Sequence, residues 1–541
     1  MQSLELLNQL ERLNSIGIAL SVEHDHNRLL EVILLGAKEL TNADGGTLYT
    51  VTEDAKLKFE IMRTLSLNIA MGGTTGKEIP FPPLPIYLED GKPNINMVAA
   101  YSVVNAQTVN IPDAYLTEGF DFSGTRKFDE KTGYRSKSFL TVPMKNHENE
   151  IIGVLQLINA IDPLTNEIIA FSESHQRLVE SLASQAAVAL TNHNLIDGLK
   201  ELFESFIKLI ADAIDEKSPY TGGHCQRVPE LTMMLAEAAI KTKDGPLKSF
   251  TMTEKEVYEL KIAAWLHDCG KVTTPEYVMD KATKLETIFD RIHLIDDRFE
   301  LLKVQRENTF LRKALTASGK SGVPVNALQL EREISAMKRL LEEDKNFIRK
   351  VNFGTESMRP EDLQRIKAIA NYEYLNDSGH TARFLSENEV NNLTIERGTL
   401  TPEERMVINN HIVVTINMLE SLSYPKDLRR VPEYAGGHHE RMDGKGYPKG
   451  LTREQMSIPA RMMGVADIFE ALTSKDRPYK KAKTLSETLN ILGKMRLDNH
   501  IDPDIFDLFI REKIYLKYAE RFLDPEQVDE VDHAKVPGYI E

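Results

Sequence analysis

The sequence predicts an α+β multidomain chain: an N-terminal α/β sheet unit, a long connector helix, and an all-α C-terminal half interrupted by an inserted helical arm. Three observations carry that reading. Short apolar or alternating runs bounded by turn residues cluster in the first part of the chain. A helical pattern with no glycine or proline except Gly198 fills Ser172 to Ile214, and nearly everything after Tyr220 shows helical spacing.

Taken in order, residues 1 to about 22 read as a short helix, and Arg28 to Leu40 as another, because Leu29, Leu30, Val32, Ile33 and Ala37 recur at helical spacing. Strands are expected at Gly45 to Val51, Phe59 to Leu65, Ser138 to Met144 and Glu150 to Asn159, together forming one sheet flanked by helices. The helix from Ser172 to Ile214 carries Leu178, Leu182, Ala186, Val188, Leu195, Leu199, Phe203 and Ile207, and is longer than one small domain needs. It reads as a connector leading into the second domain, and such helices often pair in a homodimer; a buried packing helix is the alternative. Beyond it, loops are expected at Gly245-Pro246, Gly436-Gly437 and Gly444 to Gly450. Leu285 to about Ile395 differs in character, being charged, amphipathic and free of motif residues, as a protruding helical arm with a solvated face would be.

At 541 residues the chain holds more than one folding unit. Cys225 and Cys269 are the only cysteines and lack CxxC spacing, so neither a disulfide framework nor a thiolate zinc site is indicated. The start, MQSLELLNQLERLNSIGIAL, lacks the pattern of a signal peptide, and no apolar run approaches the roughly 18 residues of a membrane span. A cytoplasmic location with no membrane partner is therefore expected. Lys+Arg 66 against Asp+Glu 82 gives a formal charge of -16, which repels nucleic-acid polymers, although a local cluster of cations can still accept a small phosphate ligand.

The strongest local signal is AAWLHDCGK, which ends a helical stretch starting near Lys255. His267 and Asp268 can approach two neighbouring metal ions from one segment, and Lys271 can line the same side of a pocket. Alone, a His-Asp pair would mean little. His411 opens an apolar helix in NNHIVVTINML, His438 and His439 stand side by side in GGHHERMDGKGYP, and Asp467 lies within the apolar helix ARMMGVADIFEAL, where an unpaired carboxylate is costly. With His224 after TGG, the set comprises nitrogen and oxygen donors suited to two ions such as iron, manganese, nickel or zinc. Cys225 and Cys269 read as small packing residues. Two adjacent ions activate a water and polarise phosphoryl oxygens, which is the chemistry of phosphoester hydrolysis, and no GxSxG elbow or P-loop competes with that reading.

HDCGK, HHERMDGKGYP and VADIFEALTSKDRPYKK together resemble the HD-GYP group of HD-superfamily phosphodiesterases, from about His224 to Lys483 apart from the arm. The resemblance implies hydrolysis of the bacterial second messenger cyclic di-GMP in a bacterial cytoplasm. It implies a two-ion centre, iron or manganese first and nickel or zinc as alternatives, held by His224, His267, Asp268, His411, His438, His439 and Asp467. It assigns catalytic roles to Lys271 and Asp268, and substrate binding to Lys271, Gly446, Tyr447, Arg477 and Lys480. The sequence departs from the family pattern in three places. The segment KPGKLTxEE is split into KATKL before the arm and ERGTLTPEER after it, which excludes His293 as a ligand. Tyr220 stands where some members carry a glutamate for a third metal, and HDIGKIGIPD becomes HDCGKVTTPE. A binding-only module, or a hydrolase of another nucleotide, are the rival readings.

The N-terminal half resembles a GAF domain, chiefly through Phe128 to Ala160, which is similar to GAF domains that bind cyclic nucleotides in mammalian phosphodiesterases. The resemblance leaves open a small-molecule or cyclic-nucleotide ligand and a purely dimerising role; Lys127, Phe128, Asp129 and Glu130 would be loop residues near such a pocket, with a solvated charged loop as the alternative. The expected divisions are a GAF sensor at 16–192, a connector at 193–219 and an HD-GYP phosphohydrolase at 220–541, the arm occupying 286–395.

Overall fold

The computed structural model describes residues 2–217, 223–321, 324–354, 357–376, 378–475 and 482–540. They form two compact units, Met1–Leu202 and Phe203–Glu541.

In the first unit, α1 (Gln2–Val22) and α2 (His26–Thr41) precede β1 (Ala43–Val51), β2 (Lys56–Thr64), β3 (Ile69–Gly72) and β4 (Leu84–Pro85). Then come α3 (Val98–Asn105), β5 (Val109–Ile111), α4 (Ser123–Thr132), β6 (Phe139–Lys145), β7 (Ile151–Ile161), β8 (Ile168–Ile169) and the first part of α5 (Glu173–Lys217). The strands form one antiparallel sheet of order β3-β2-β1-β7-β6-β5, with β4 paired to β2 and β8 to β7. Its centre is the β1–β7 pair, in which Leu48 faces Leu155 and Gly46 faces Leu157. One sheet face buries Leu48, Leu155 and Leu157 against Leu30, Ile33 and Leu34 of α2 and Leu182 and Ala186 of α5. Gly46 permits this close approach, because a Cβ there would lie 2.8 Å from a Leu34 methyl carbon. Strands β3, β4, β5 and β8 escaped the sequence reading because runs of two to four residues are too short to show a period. Lys127, Phe128, Asp129 and Glu130, expected in a loop, lie on α4 instead. There Asp129 is buried, its carboxylate accepting hydrogen bonds from the Tyr115 hydroxyl at 2.7 Å and from Ser136 N–H and hydroxyl at 2.7 and 2.8 Å.

The second unit continues from the end of α5 through α6 (His224–Lys241), α7 (Glu254–Leu266) and α8 (Glu276–Met279). After the inserted segment it resumes with α13 (Pro402–Asn409), α14 (His411–Glu420), α15 (Val431–Gly436), α16 (Ile458–Thr473), α17 (Leu485–Leu497), α18 (Pro503–Arg511) and α19 (Ile514–Phe522). Leu235, Leu260, Ala466, Phe469, Leu489, Phe506 and Tyr518 meet in its core, so α16 is covered by helices from both ends of the unit. This surrounds Asp467 with apolar packing on the helix that carries it. Among the described residues, no helix is long and apolar enough to cross a membrane.

The insertion comprises α9 (Ile292–Ser321), α10 (Ala327–Asn352), α11 (Pro360–Ala370), the hairpin β9 (Glu373–Leu375) and β10 (Thr381–Arg383), and α12 (Glu387–Leu393). It is more than a solvated arm. Phe299, Leu341, Ile348, Ile366, Phe384 and Leu393 make a buried core of its own, and the β9–β10 hairpin breaks the all-helical expectation. His293 is exposed on α9.

The two halves of the split segment rejoin at the neck of the insertion. Lys281 donates to both carboxylate oxygens of Glu404 at 2.8 Å and to Asn392 Oδ1 at 2.8 Å, while the Thr399 hydroxyl bonds the Lys281 carbonyl at 2.9 Å. Lys284 is fully buried with no carboxylate partner among the described residues, its ammonium donating to the carbonyls of Ile395 at 2.6 Å and Leu393 at 3.3 Å. Burial pushes its pKa down from 10.5 to about 8. Between those values the unfolded chain holds the extra proton, so folding stability rises with pH. The urea midpoint of the wild type should therefore gain on that of Lys284→Met as pH is raised from about 8 to 10. Parallel curves for the two proteins would show that Lys284 is protonated throughout.

Candidate metal centre

The site is assembled where four helix ends converge. Helix α7 stops at Leu266, and His267 and Asp268 begin a tight turn that becomes a 3₁₀ helix over Cys269–Thr273. With about three residues per turn, Lys271 stacks over Asp268, and its ammonium reaches Asp268 Oδ2 at 2.5 Å. The sequence places this motif at the end of a helix, and the structure adds the 3₁₀ turn that follows it. Gly270 lets the turn lie against α14, since a Cβ there would stand 2.0 Å from the His411 carbonyl oxygen. Its N–H donates to the buried Thr415 hydroxyl at 2.9 Å.

Two groups of donors result. His224, His267, Asp268 and Asp467 form one, and His411, His438 and His439 the other, with candidate ligand atoms within 4.8 Å of one another in each group. Asp268 joins them. Its Oδ2 lies 3.1 Å from His224 Nε2 and 3.3 Å from His267 Nε2, while Oδ1 lies 3.2 Å from His411 Nε2 and 4.0 Å from His438 Nε2. Asp467 Oδ1 is 3.3 Å from His224 Nε2. All seven ligand-type residues singled out in the sequence thus meet in one place.

The imidazoles are oriented from behind. The Nδ1–H groups of His267, His411 and His438 donate to the carbonyls of Ala264, Ile408 and Ala435 at 2.6, 2.6 and 2.7 Å. A carbonyl only accepts, so each Nδ1 carries the proton and each Nε2 turns a lone pair into the site. His439 and His411 bring their Nε2 atoms to 3.1 Å. Asp268 Oδ1 and His438 Nε2 are buried with no hydrogen-bond partner among the described residues. Converging lone pairs and an unsatisfied carboxylate oxygen repel one another unless a cation lies between them, so the donor set fits divalent ions.

The imidazoles divide by charge: against its burial, Glu470, Asp268 and Asp467 raise the pKa of His224 well above its ordinary value, whereas His438 and His439 are lowered. Burial, reinforced by the neighbouring His267, pushes His438 down to about 4, and burial beside His438 holds His439 well below its ordinary value, which keeps both rings neutral. Burial opposes ionisation of Asp467, but the hydrogen bond and charge of His224 outweigh it and lower its pKa. For Asp268, Lys271 and His267 outweigh burial in the same direction. Lys271 stays protonated, because Asp268 and Asp467 overcome its desolvation.

Several contributors were missed in the sequence. Glu470, three residues after Asp467, accepts from His224 Nδ1–H at 2.5 Å and from Arg227 Nε at 2.6 Å. The cost of a buried carboxylate on an apolar helix, which drew attention to Asp467, applies to Glu470 equally. Glu440 is buried and accepts the Lys449 and Leu451 N–H groups at 2.7 and 2.9 Å, folding the loop that carries Gly446 and Tyr447. Gly446 has no room for a side chain: a Cβ would lie 2.4 Å from Arg441 N and from Glu440 Cα. The Tyr447 ring stacks on His439, with centroids 4.8 Å apart and planes at 22°. Burial pushes the Tyr447 hydroxyl up to about 12, so it remains a donor. A cleft of about 440 Å³ opens beside the centre, lined by His438, His439, Tyr447, Asp467, Arg441, Lys445 and Lys483, among others. Arg477, Lys480 and Tyr220 lie outside the described residues. Cys225 and Cys269 are buried, as packing residues should be.

The sequence matches the GAF domain family over residues 25–190 and the HD domain family over residues 387–505. It is 36% identical over 117 residues to the 3'3'-cGAMP-specific phosphodiesterase 1 of Vibrio cholerae, covering 21% of this chain and 26% of that protein. Identity is 34% over 141 residues with a probable cyclic di-GMP phosphodiesterase of the same organism, covering 25% and 32%. It is 46% over 74 residues with a cyclic di-GMP phosphodiesterase of Pseudomonas aeruginosa, covering 14% and 17%. The chain thus spans between 17% and 32% of the length of these relatives. The HD match contains His411, His438, His439 and Asp467 and begins at α12, the last helix of the insertion, whereas His224, His267, Asp268 and Lys271 lie before it. The chain carries a GAF domain in its N-terminal unit and an HD domain in its C-terminal unit.

Proposed function

We propose that this chain is a metal-dependent phosphodiesterase that hydrolyses cyclic di-GMP in a bacterial cytoplasm, under the control of its GAF domain. The observation that carries the reading is Asp268, one buried carboxylate with an oxygen turned toward each of two histidine groups. His224, His267, Asp268 and Asp467 would hold one divalent ion, and His411, His438 and His439, with the second oxygen of Asp268, another. Imidazole and carboxylate without thiolate favour iron or manganese, with nickel or zinc as alternatives. Such ions would lower the pKa of a water and polarise phosphoryl oxygens. Lys271 supplies a fixed positive charge beside Asp268 for the charge that develops on the phosphate and the leaving oxygen. The Tyr447 hydroxyl donates to a phosphate oxygen, and Gly446 keeps the loop low enough for that ring to sit over His439. Arg477 and Lys480 are assigned to the nucleotide's phosphates and bases. The relatives named for cyclic di-GMP support the substrate, and their bacterial origin supports the host.

The division into a GAF sensor at 16–192, a connector at 193–219 and a hydrolase at 220–541 with its arm at 286–395 belongs to the same proposal. So does a homodimer. Val188, Leu195, Leu199, Leu202, Phe206 and Leu209 are all exposed on α5. From Leu195 onward they alternate in steps of four and three, the repeat that a second copy of the helix covers. The GAF domain, in this reading, takes a small-molecule ligand.

Incubation with cyclic di-GMP and manganese or ferrous iron, followed by chromatography, should yield linear dinucleotide or GMP, and His267→Ala, Asp268→Ala should abolish it. The 3'3'-cGAMP named for one relative belongs in the same assay. Cleavage of that compound alone would correct the substrate, and no cleavage by a two-metal preparation would leave a binding module. Gly270→Ala should push α14 and His411 off the centre, costing about 1–3 kcal/mol and part of the metal content measured by elemental analysis. Full metal occupancy in that variant would contradict the packing account. Light scattering should report a dimer for the wild type and a monomer for Leu199→Glu, Phe206→Glu; identical masses would remove α5 as the interface.

A further inference from the structure

The last turn of α5 grips two of the ligand-bearing segments at once. Lys217, its final residue, donates to the carbonyls of Val272 at 2.5 Å, Thr274 at 2.6 Å and Lys271 at 3.3 Å. These carbonyls lie at the C-terminal end of the 3₁₀ helix of Cys269–Thr273, where that of Lys271 also accepts the Thr274 N–H at 3.0 Å, and the three N–H bonds of one ammonium match them in number and charge. Two residues earlier, the buried Asp215 carboxylate accepts the Cys225 N–H, with oxygens at 3.2 and 3.4 Å. That N–H is one of the orphan donors at the start of α6, whose own N-cap is Gly223 and makes no side-chain cap. Asp215 supplies the missing cap from a different helix.

The turn is itself well fixed. Ile207, Ala211 and Ile214 belong to the core of the C-terminal unit, and Glu204 pairs with Lys261 of α7 at 2.9 Å. One rigid element thus holds the backbone beside His224 through Asp215 and the backbone of Lys271 through Lys217.

We infer that Asp215 and Lys217 are positioning residues: together they set the separation between His224 and the Asp268–Lys271 turn, and α5 acts on catalysis through them. A shift or rotation of the α5 C-terminus moves both anchors together. The kinetic part of this inference rests on the phosphodiesterase reading; the structural part does not.

Hydrogen exchange on the full chain without substrate tests the anchors directly, in peptides covering residues 223–228 and 268–274. Lys217→Met should speed exchange at the Lys271 and Thr274 amides, which bond Asp268 and Lys271 carbonyls, while leaving α14 and α16 unchanged. Lys217→Arg, which keeps a cationic donor, should restore most of the protection. Asp215→Leu should speed exchange at Cys225, and Asp215→Asn, which keeps an acceptor oxygen, should not. With cyclic di-GMP, Lys217→Met should lose about 10- to 100-fold in kcat with KM little changed, because a displaced Lys271 fails the transition state more than the bound substrate. Unchanged exchange over 268–274 in Lys217→Met would overturn the inference. Should that variant loosen the whole unit, Lys217→Gln decides, a local rise supporting the inference and none refuting it. A wild type that cleaves no cyclic dinucleotide while the local exchange still responds would reject the substrate and keep the anchors.

Discussion

The C-terminal unit is organised around one buried carboxylate. Asp268 is 2% exposed, yet it faces His224 and His267 with one oxygen and His411 with the other. A carboxylate so deeply placed is tolerable only where positive charge is assembled around it. Lys271 provides part of that charge at 2.5 Å, and the convergent imidazole lone pairs leave room for the rest as cations. The surrounding structure can be understood as the means of keeping these mutually repelling donors in place.

Those means are mostly backbone groups. Three imidazoles are fixed by carbonyls three residues back in their own chain, so each ring is oriented by the helix end that carries it. Two glycines then allow the segments to close. Gly270 seats the Asp268 turn against α14, and Gly446 seats its loop against Glu440 and Arg441. Where the backbone cannot reach, side chains hold the segments instead, with Glu470 behind His224, Glu440 beneath the Gly446 loop, and Asp215 and Lys217 at the end of α5.

The insertion shows how much sequence such a centre tolerates between its parts. Over a hundred residues with their own core separate Asp268 from His411, but Lys281, Lys284 and Thr399 close the neck so that α13 and α14 resume in place. The cost of a long excursion grows only slowly with its length once the ends are held together. The connector α5 poses the opposite case, since it leaves an apolar repeat exposed, which the proposed homodimer would cover.

Much of this was legible in the sequence. The helical and strand periods marked the longer elements, and the cost of an unpaired carboxylate on an apolar helix marked Asp467, while the other ligand candidates stood out by their motifs. The short strands and the hairpin in the insertion were not legible, since two to four residues carry no period and their pairing energy comes from partners distant in the chain, and the charged helix that carries Asp129 has too few apolar residues to show one. What only the tertiary structure decided is which donors meet. His224, Asp268, His411 and Asp467 are spread over more than two hundred residues, and nothing local to any of them specifies that Asp268 turns one oxygen to each group. Packing of α6, α7, α14 and α16 around one core decides it, because distance and orientation between side chains belong to the folded chain, whereas the chemistry those side chains can perform is already written in their identity.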